Sequence, residues 1–223
     1  EARAEIHAPH FTPKAKRVIQ IFACGGMSHI DTFDYKQELV KRHGNELTLP
    51  GKIVPFFGQP GRCLKSPWTF EKRGQSGQWI SSLLPHLAAC ADDLTVIRSM
   101  VAKSANHTPA TFQMNSGFTM NGFPSMGAWL SYGLGSENEN LPAFVVLPDP
   151  RGLPAGGSIN WTSGFLPASH QGVAFRSKGD PIPDLSTPSE VTPKARDAGR
   201  DFLAKLNRDD LRANPGDSTL EAR

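Results

Sequence analysis

The sequence predicts an α/β domain built on a mostly parallel sheet. Two observations carry this. Short β-rich apolar runs alternate with segments whose apolar residues recur at helical spacing. The first apolar run also ends in a Gly-Gly turn, as a buried parallel strand does when it feeds a loop. Three such runs in 223 residues are few for a complete doubly wound sheet, so the expected domain is incomplete.

The elements follow in chain order. Residues 1–16 read as a mobile lead-in. Arg17-Val-Ile-Gln-Ile-Phe-Ala23 is the first expected strand, closed by Cys24-Gly25-Gly26. Tyr35–Arg42 reads as a short helix with Leu39 and Val40 on its apolar side. Residues 44–75 are rich in Gly, Pro and aromatics and form an excursion with short strands. Ser76–Ala91 carries Trp79, Ile80, Leu83, Leu84, Leu87 and Ala88 at spacings of three and four, a helix that Pro85 kinks or splits.

Asp93–Arg98 is the second expected strand, and residues 108–115 follow as a helix with Pro109 in its first turn. Pro124–Tyr132 fits another helix, and Ala143–Leu147 is the third strand. Residues 148–193 are irregular, and Lys194–Leu206 is an amphipathic helix with Ala198, Phe202, Leu203 and Leu206 on one face. Ser218-Thr-Leu-Glu221 has the spacing of a capping box that opens a helix. The expected organisation is therefore a lead-in to residue 16, then the N-terminal part of one domain over 17–223.

Composition narrows the function classes. Lys and Arg number 24 against 21 Asp and Glu, a net charge of +3, which excludes a strongly electrostatic nucleic-acid binder. Twenty-one glycines and nineteen prolines exclude coiled coils and helical bundles. No apolar run approaches the length of a membrane span, and Glu1–Lys16 lacks the apolar core of a signal peptide. Cys24, Cys63 and Cys90 contain no C-x-x-C, so a zinc ribbon is excluded and at most one disulfide is expected. No P-loop, dinucleotide fingerprint, nucleophile elbow or H-E-x-x-H is found.

Three segments carry chemistry. Gly25-Gly-Met-Ser-His-Ile-Asp-Thr-Phe-Asp34 follows the first expected strand, where open α/β folds bind ligands. Ser28, His29, Asp31 and Asp34 offer a hydroxyl, an imidazole and two carboxylates, a set suited to a divalent cation or an oxyanion. Gly25 and Gly26 would let backbone N–H groups face an anion. The alternative is a polar loop in which Asp31 caps a helix.

Asn106, His107 and Thr108 stand at an expected helix start, whose positive end favours a bound anion. The alternative is that Asn106 or Thr108 caps the helix and His107 is solvated. Gly164–Gly172, with His170 and Gln171, has the composition of a pocket-lining loop. Arg98 ends the second expected strand and would meet either an anion or a structural ion partner. Asp92 and Asp93 read as a solvated turn, and His86 as structural.

These blocks bear a family resemblance. The run from Ala15 through Gly-Gly-Met-Ser-His-Ile-Asp-Thr-Phe-Asp-Tyr-Lys36 resembles the start of domain-of-unknown-function family 1501, a sulfatase-like family. Gly74–Trp79, Pro85–Leu87, Asp92–Met100, Asn106–Ala110, Pro124–Trp129, Tyr132–Asn138 and Ser163–Pro167 extend it in order. The resemblance implies a branch of the alkaline phosphatase superfamily, with a three-layer α/β/α sandwich and hydrolysis of sulfate or phosphate esters. It also implies that this chain is the N-terminal half of a longer domain whose later half carries an Asp-His metal motif.

The implied residues are these. His107 falls at the arylsulfatase nucleophile position, with Pro109 and Gly117 retained and Thr111 in place of the motif's Arg, so a modified-cysteine mechanism is excluded there. His107, Asn106 and Ser28 are the catalytic candidates, and Asp31 with His29 the metal ligands. Gly25, Gly26, Arg98, Thr108 and Gln171 are the substrate-binding candidates. The implied cofactor is a divalent metal (zinc, calcium or manganese). The implied partner is a sulfated or phosphorylated small molecule or polysaccharide, in the periplasm or another extracytoplasmic space. The rival expectation is a non-catalytic extracytoplasmic binding protein on the same scaffold.

Overall fold

A computed structural model describes residues 11–12, 14–47, 58, 61–136, 138, 140–182 and 186–216. The expected capping box at 218–221, most of the lead-in and part of the 44–75 excursion lie outside these residues. The architecture is mixed α/β: six α-helices, and two sheets of two strands each, among the described residues. The chain divides into two compact units, Ile21–Ala105 and Glu1–Gln20 with Asn106–Arg223.

The Ile21–Ala105 unit opens with two short helices, α1 (His29–Thr32) and α2 (Gln37–Lys41). An antiparallel hairpin follows, β1 (Phe70–Arg73) and β2 (Gln78–Ser81), with Glu71 opposite Ile80 and Lys72 opposite Trp79. The Lys72 ammonium sits over the Trp79 ring, 5.7 Å from its centroid. Tyr35 stacks on Phe70 at 4.8 Å and tilts against Trp79 at 4.9 Å. Cys63, Ile80, Ser81 and Ala91 form the small core, with Thr32 and Asp34 buried beside it in the fold. Helix α3 (Pro85–Ala89) and a 3-10 turn at Ala91–Asp93 close the unit.

Three expected elements are corrected here. Residues 76–91 do not form one helix: Trp79 and Ile80 lie in β2, and the helical spacing continues only over Pro85–Ala89. Pro85 does not kink a helix but starts one, where its missing N–H costs nothing. Arg17–Ala23 and Asp93–Arg98 are not strands. Val18, Ile19, Ile21 and Ile97 are all exposed, so neither run gains the two-faced burial that a central parallel strand needs.

The second unit contains α4 (His107–Ser116), α5 (Met126–Leu134) and α6 (Pro193–Ala213). These match the expected helices, with α6 extending further at its C-terminal end. The third expected strand survives as β3 (Val145–Val146), paired in parallel with β4 (Val173–Ala174). Val173 N–H donates to Phe144 O, and Phe175 N–H donates to Val146 O, each at 2.9 Å.

Helices α4 and α5 pack on a 3-10 turn at Gly157–Trp161, and α5 also meets a second such turn at Ala168–His170. Pro124, Ala128, Trp161 and Leu166 are buried there. Gly164 makes the approach of its loop possible: a Cβ on it would lie 2.5 Å from the Phe123 carbonyl carbon and the Pro124 nitrogen. Helix α6 is capped by Thr192, whose hydroxyl oxygen accepts from Ala195 N–H, but Phe202, Leu203 and Leu206 remain exposed.

Candidate functional site

The Gly25–Asp34 loop is built by local bonds. Gly25 and Gly26 take φ of 86° and 84°, a left-handed backbone that side chains rarely adopt, and a Cβ on either would touch nothing. Gly26 N–H donates to Ala23 O at 3.1 Å, closing the turn. Ser28 then precedes α1, and its hydroxyl donates to Asp31 Oδ2 at 2.6 Å. Thr32 Oγ1 donates back to Ser28 O at 2.9 Å. This is the local hydrogen-bonding habit of Ser, Thr and Asp at a helix start.

The two carboxylates of the loop are in different states. Asp31 is bonded by the Ser28 and Ser66 hydroxyls, which hold its carboxyl below the usual range. Asp34 is largely buried and accepts from Lys36 Nζ at 2.7 Å and from His29 Nδ1 at 3.2 Å, both on Oδ2. The Lys36 ammonium is the main cause of its lowered pKa, burial pulling the other way. His29 therefore pairs with Asp34, not with Asp31. Among the described residues no three His, Cys, Asp or Glu side chains gather as a cation set.

Asn106, His107 and Thr108 lie in the other unit and open α4. The Asn106 carboxamide oxygen accepts the Thr108 N–H at 3.2 Å, so the capping role is filled by Asn106. His107 is the first residue of the helix and is exposed. Gly117 ends the helix at φ 85°, its N–H donating to Gln113 O at 2.8 Å.

The remaining candidates are dispersed. Arg98 is exposed beyond the Ala91–Asp93 turn, and Gln171 is exposed after the Ala168–His170 turn. His170 is half-buried, with Nδ1 3.0 Å from Ser131 Oγ and its ring edge-on to Tyr132 at 5.3 Å. Burial lowers its pKa. All three cysteines are free; Cys63 is buried, and Cys24 and Cys90 are exposed.

Sequence reasoning missed two features. One is an amide relay whose Asn115 and Asn160 are buried: the exposed Gln20 donates from Nε2 to Asn115 Oδ1, Asn115 Nδ2 donates to Asn160 Oδ1, and Asn160 Nδ2 donates to the Ala155 and Gly157 carbonyls. Its signal in the sequence is an asparagine, Asn115, in the last turn of α4. The other is Asp92, read as solvated, which accepts the Gln75 and Ser76 N–H groups at 3.0 and 2.8 Å. Beside α4 and α5 a shallow groove of about 420 Å³ is lined by Met114, Met126, Trp129 and Leu130 with Gln113 and Ser116.

Comparison with known proteins gives one match. A family model described as "Protein of unknown function (DUF1501)" covers residues 15–223. No curated protein matches, and no solved structure matches. No helix among the described residues is long and apolar enough to cross a membrane.

Proposed function

The chain belongs to the DUF1501 family, and we propose that it forms part of a sulfatase-like hydrolase of sulfate or phosphate esters. The observation that supports this reading is the extent of α4. It begins at His107, with Asn106 as its cap, and closes at Gly117 in left-handed backbone. Those are the two ends that the arylsulfatase-like spacing predicts. Under this reading the whole fold is an alkaline phosphatase-type sandwich, and the protein works outside the cytoplasm.

The proposed roles use the chain's own groups. His107 stands at the positive end of a ten-residue helix and faces the ester anion, with Thr108 beside it. Its imidazole exchanges a proton with the reacting oxygen or holds the anion. The Ser28 hydroxyl proton is committed to Asp31, which leaves the oxygen's lone pairs as its reactive face. A divalent metal would neutralise ester charge and polarise the ester oxygen. Asp31 and His29 have the right donor chemistry for it, but the described residues do not complete a set, so no step is drawn through a metal.

The experiment is sulfate- and phosphate-ester turnover by the full-length protein before and after His107→Ala. Turnover that collapses supports the role of His107, and unchanged turnover overturns it.

One observation favours the second reading, a non-catalytic binding protein for an anionic polysaccharide. The donors of the acidic loop are already engaged within the chain, Asp34 by the Lys36 ammonium and Asp31 by the Ser28 hydroxyl. An absence of turnover on every ester class, with retained binding of sulfated glycan, would select it.

A further inference from the structure

The Gly25–Asp34 loop contains a relationship that the donor-set reading passes over. Asp34 counts in the sequence as one of two candidate oxygen ligands. In the fold its side chain is only 13% exposed, whereas the His29 side chain is 73% exposed. The carboxylate is turned inward, and the imidazole it touches is in solvent.

The protonation of that contact is fixed by chemistry. Lys36 Nζ lies 2.7 Å from Asp34 Oδ2, a charge-assisted bond that keeps the carboxylate ionised. An ionised carboxylate only accepts. His29 Nδ1, 3.2 Å from the same oxygen, must then carry the hydrogen. The backbone enforces the spacing, because the Phe33 and Asp34 N–H groups both donate to His29 O, at 3.2 and 2.9 Å.

We propose that Asp34 is a positioning residue for His29: it holds the imidazole proton on Nδ1 and leaves Nε2 as a bare lone pair facing solvent. Lys36 is the third member, keeping Asp34 charged and in place. The ring is thereby set in the one tautomer whose exposed nitrogen is a hydrogen-bond acceptor, as in histidines oriented by a carboxylate. Its use in chemistry rests on the hydrolase reading of this loop; the tautomer itself does not.

The test is nitrogen NMR of the histidine rings in the full-length protein labelled with ¹⁵N-histidine, at a pH above the histidine range. His29 is assigned from the signals lost in His29→Ala. The expected result is a protonated, pyrrole-type Nδ1 and an unprotonated, pyridine-type Nε2. A dominant Nε2–H form, or an even mixture, in the wild-type protein overturns the proposal. Asp34→Ala should erase the preference, and Lys36→Met should retain it with a broader ring signal. The wild-type spectrum decides even where Asp34→Ala fails to fold. Ester turnover unaffected by His29→Ala would overturn the loop's part in hydrolysis while leaving the tautomer assignment standing, so the two failures are distinguishable.

Discussion

Asp92 occupies the space that a side chain on Gly74 would need: a Cβ built there lies 2.3 Å from Asp92 Oδ1. Gly74 takes φ of +63°, and the next two N–H groups donate into the same carboxylate. Gln78 completes the clamp, its Nε2 donating to Ala91 O at 3.0 Å and Leu94 O at 2.8 Å. The turn at Gly74–Gln78 is thus held by the Asp92 side chain and the Ala91 and Leu94 carbonyls.

Gly74→Ala should therefore destabilise the protein by more than the left-handed backbone cost of about 1–2 kcal/mol, since the clash with Asp92 adds to it. Urea unfolding checks this, and an unchanged midpoint would refute it. Asp92→Asn should remove part of the acid sensitivity. The Asp92 pKa is lowered by the Ser76 and then the Gln75 N–H groups. Its stabilisation is present above the unfolded carboxylate value of about 3.9 and is lost as pH falls through the lower folded value.

Asn115→Leu should cost about 1–3 kcal/mol, the penalty for leaving buried polar partners unpaired. Asn160 Oδ1 and the Thr111 carbonyl each lose a donor, while the exposed Gln20 turns to water. The double variant Asn115→Leu/Asn160→Leu should cost less than the sum of the single changes, because each removes the other's orphan. Additive losses would show that the relay is not a unit.

His170 should make stability fall with acid. Its folded pKa is lowered by burial, so the unfolded chain binds the proton more tightly. The stabilisation is complete above the unfolded value of about 6.5 and is lost as pH falls from there through the folded value. Thermal melts across that interval should flatten in His170→Gln, which keeps a polar partner for Ser131. A slope unchanged by the substitution would refute the assignment.

Zinc, calcium or manganese, each tested alone, should raise the melting temperature of the full-length protein under the hydrolase reading. Saturation at a hundredfold over Kd stabilises by about 2.7 kcal/mol. Asp31→Asn and His29→Ala should each reduce the shift. No shift with any of the three ions would count for the binding-protein reading.

Much of the helical structure was legible, and the reason is local. Helix α4 has its cap in Asn106 and its stop in Gly117, each within a turn of the helix end, and α6 was readable from the spacing of Ala198, Phe202, Leu203 and Leu206. The sheets were less legible. Val18, Ile19 and Ile21 favour extended backbone, but a strand exists only where a second chain segment supplies its ladder, and that pairing is not written in the run itself. Trp79 and Ile80 satisfied a helical spacing by chance of composition, while the residues opposite them in β1 lay in a stretch without periodicity. At the candidate site the residue types were readable, and their partnerships were not. That Asp34 serves His29 and Lys36, and Asp31 serves Ser28, depends on how α1 closes.

The paired glycines at 25 and 26 have one more consequence. Each has room for a side chain, yet each holds a backbone angle of the opposite hand to that preferred by an L-residue. What is selected there is handedness, not smallness. In a chain assembled by chemical ligation, D-alanine at either position should be accommodated without distortion, while its mirror image at the same position, of identical volume and polarity, should open the turn.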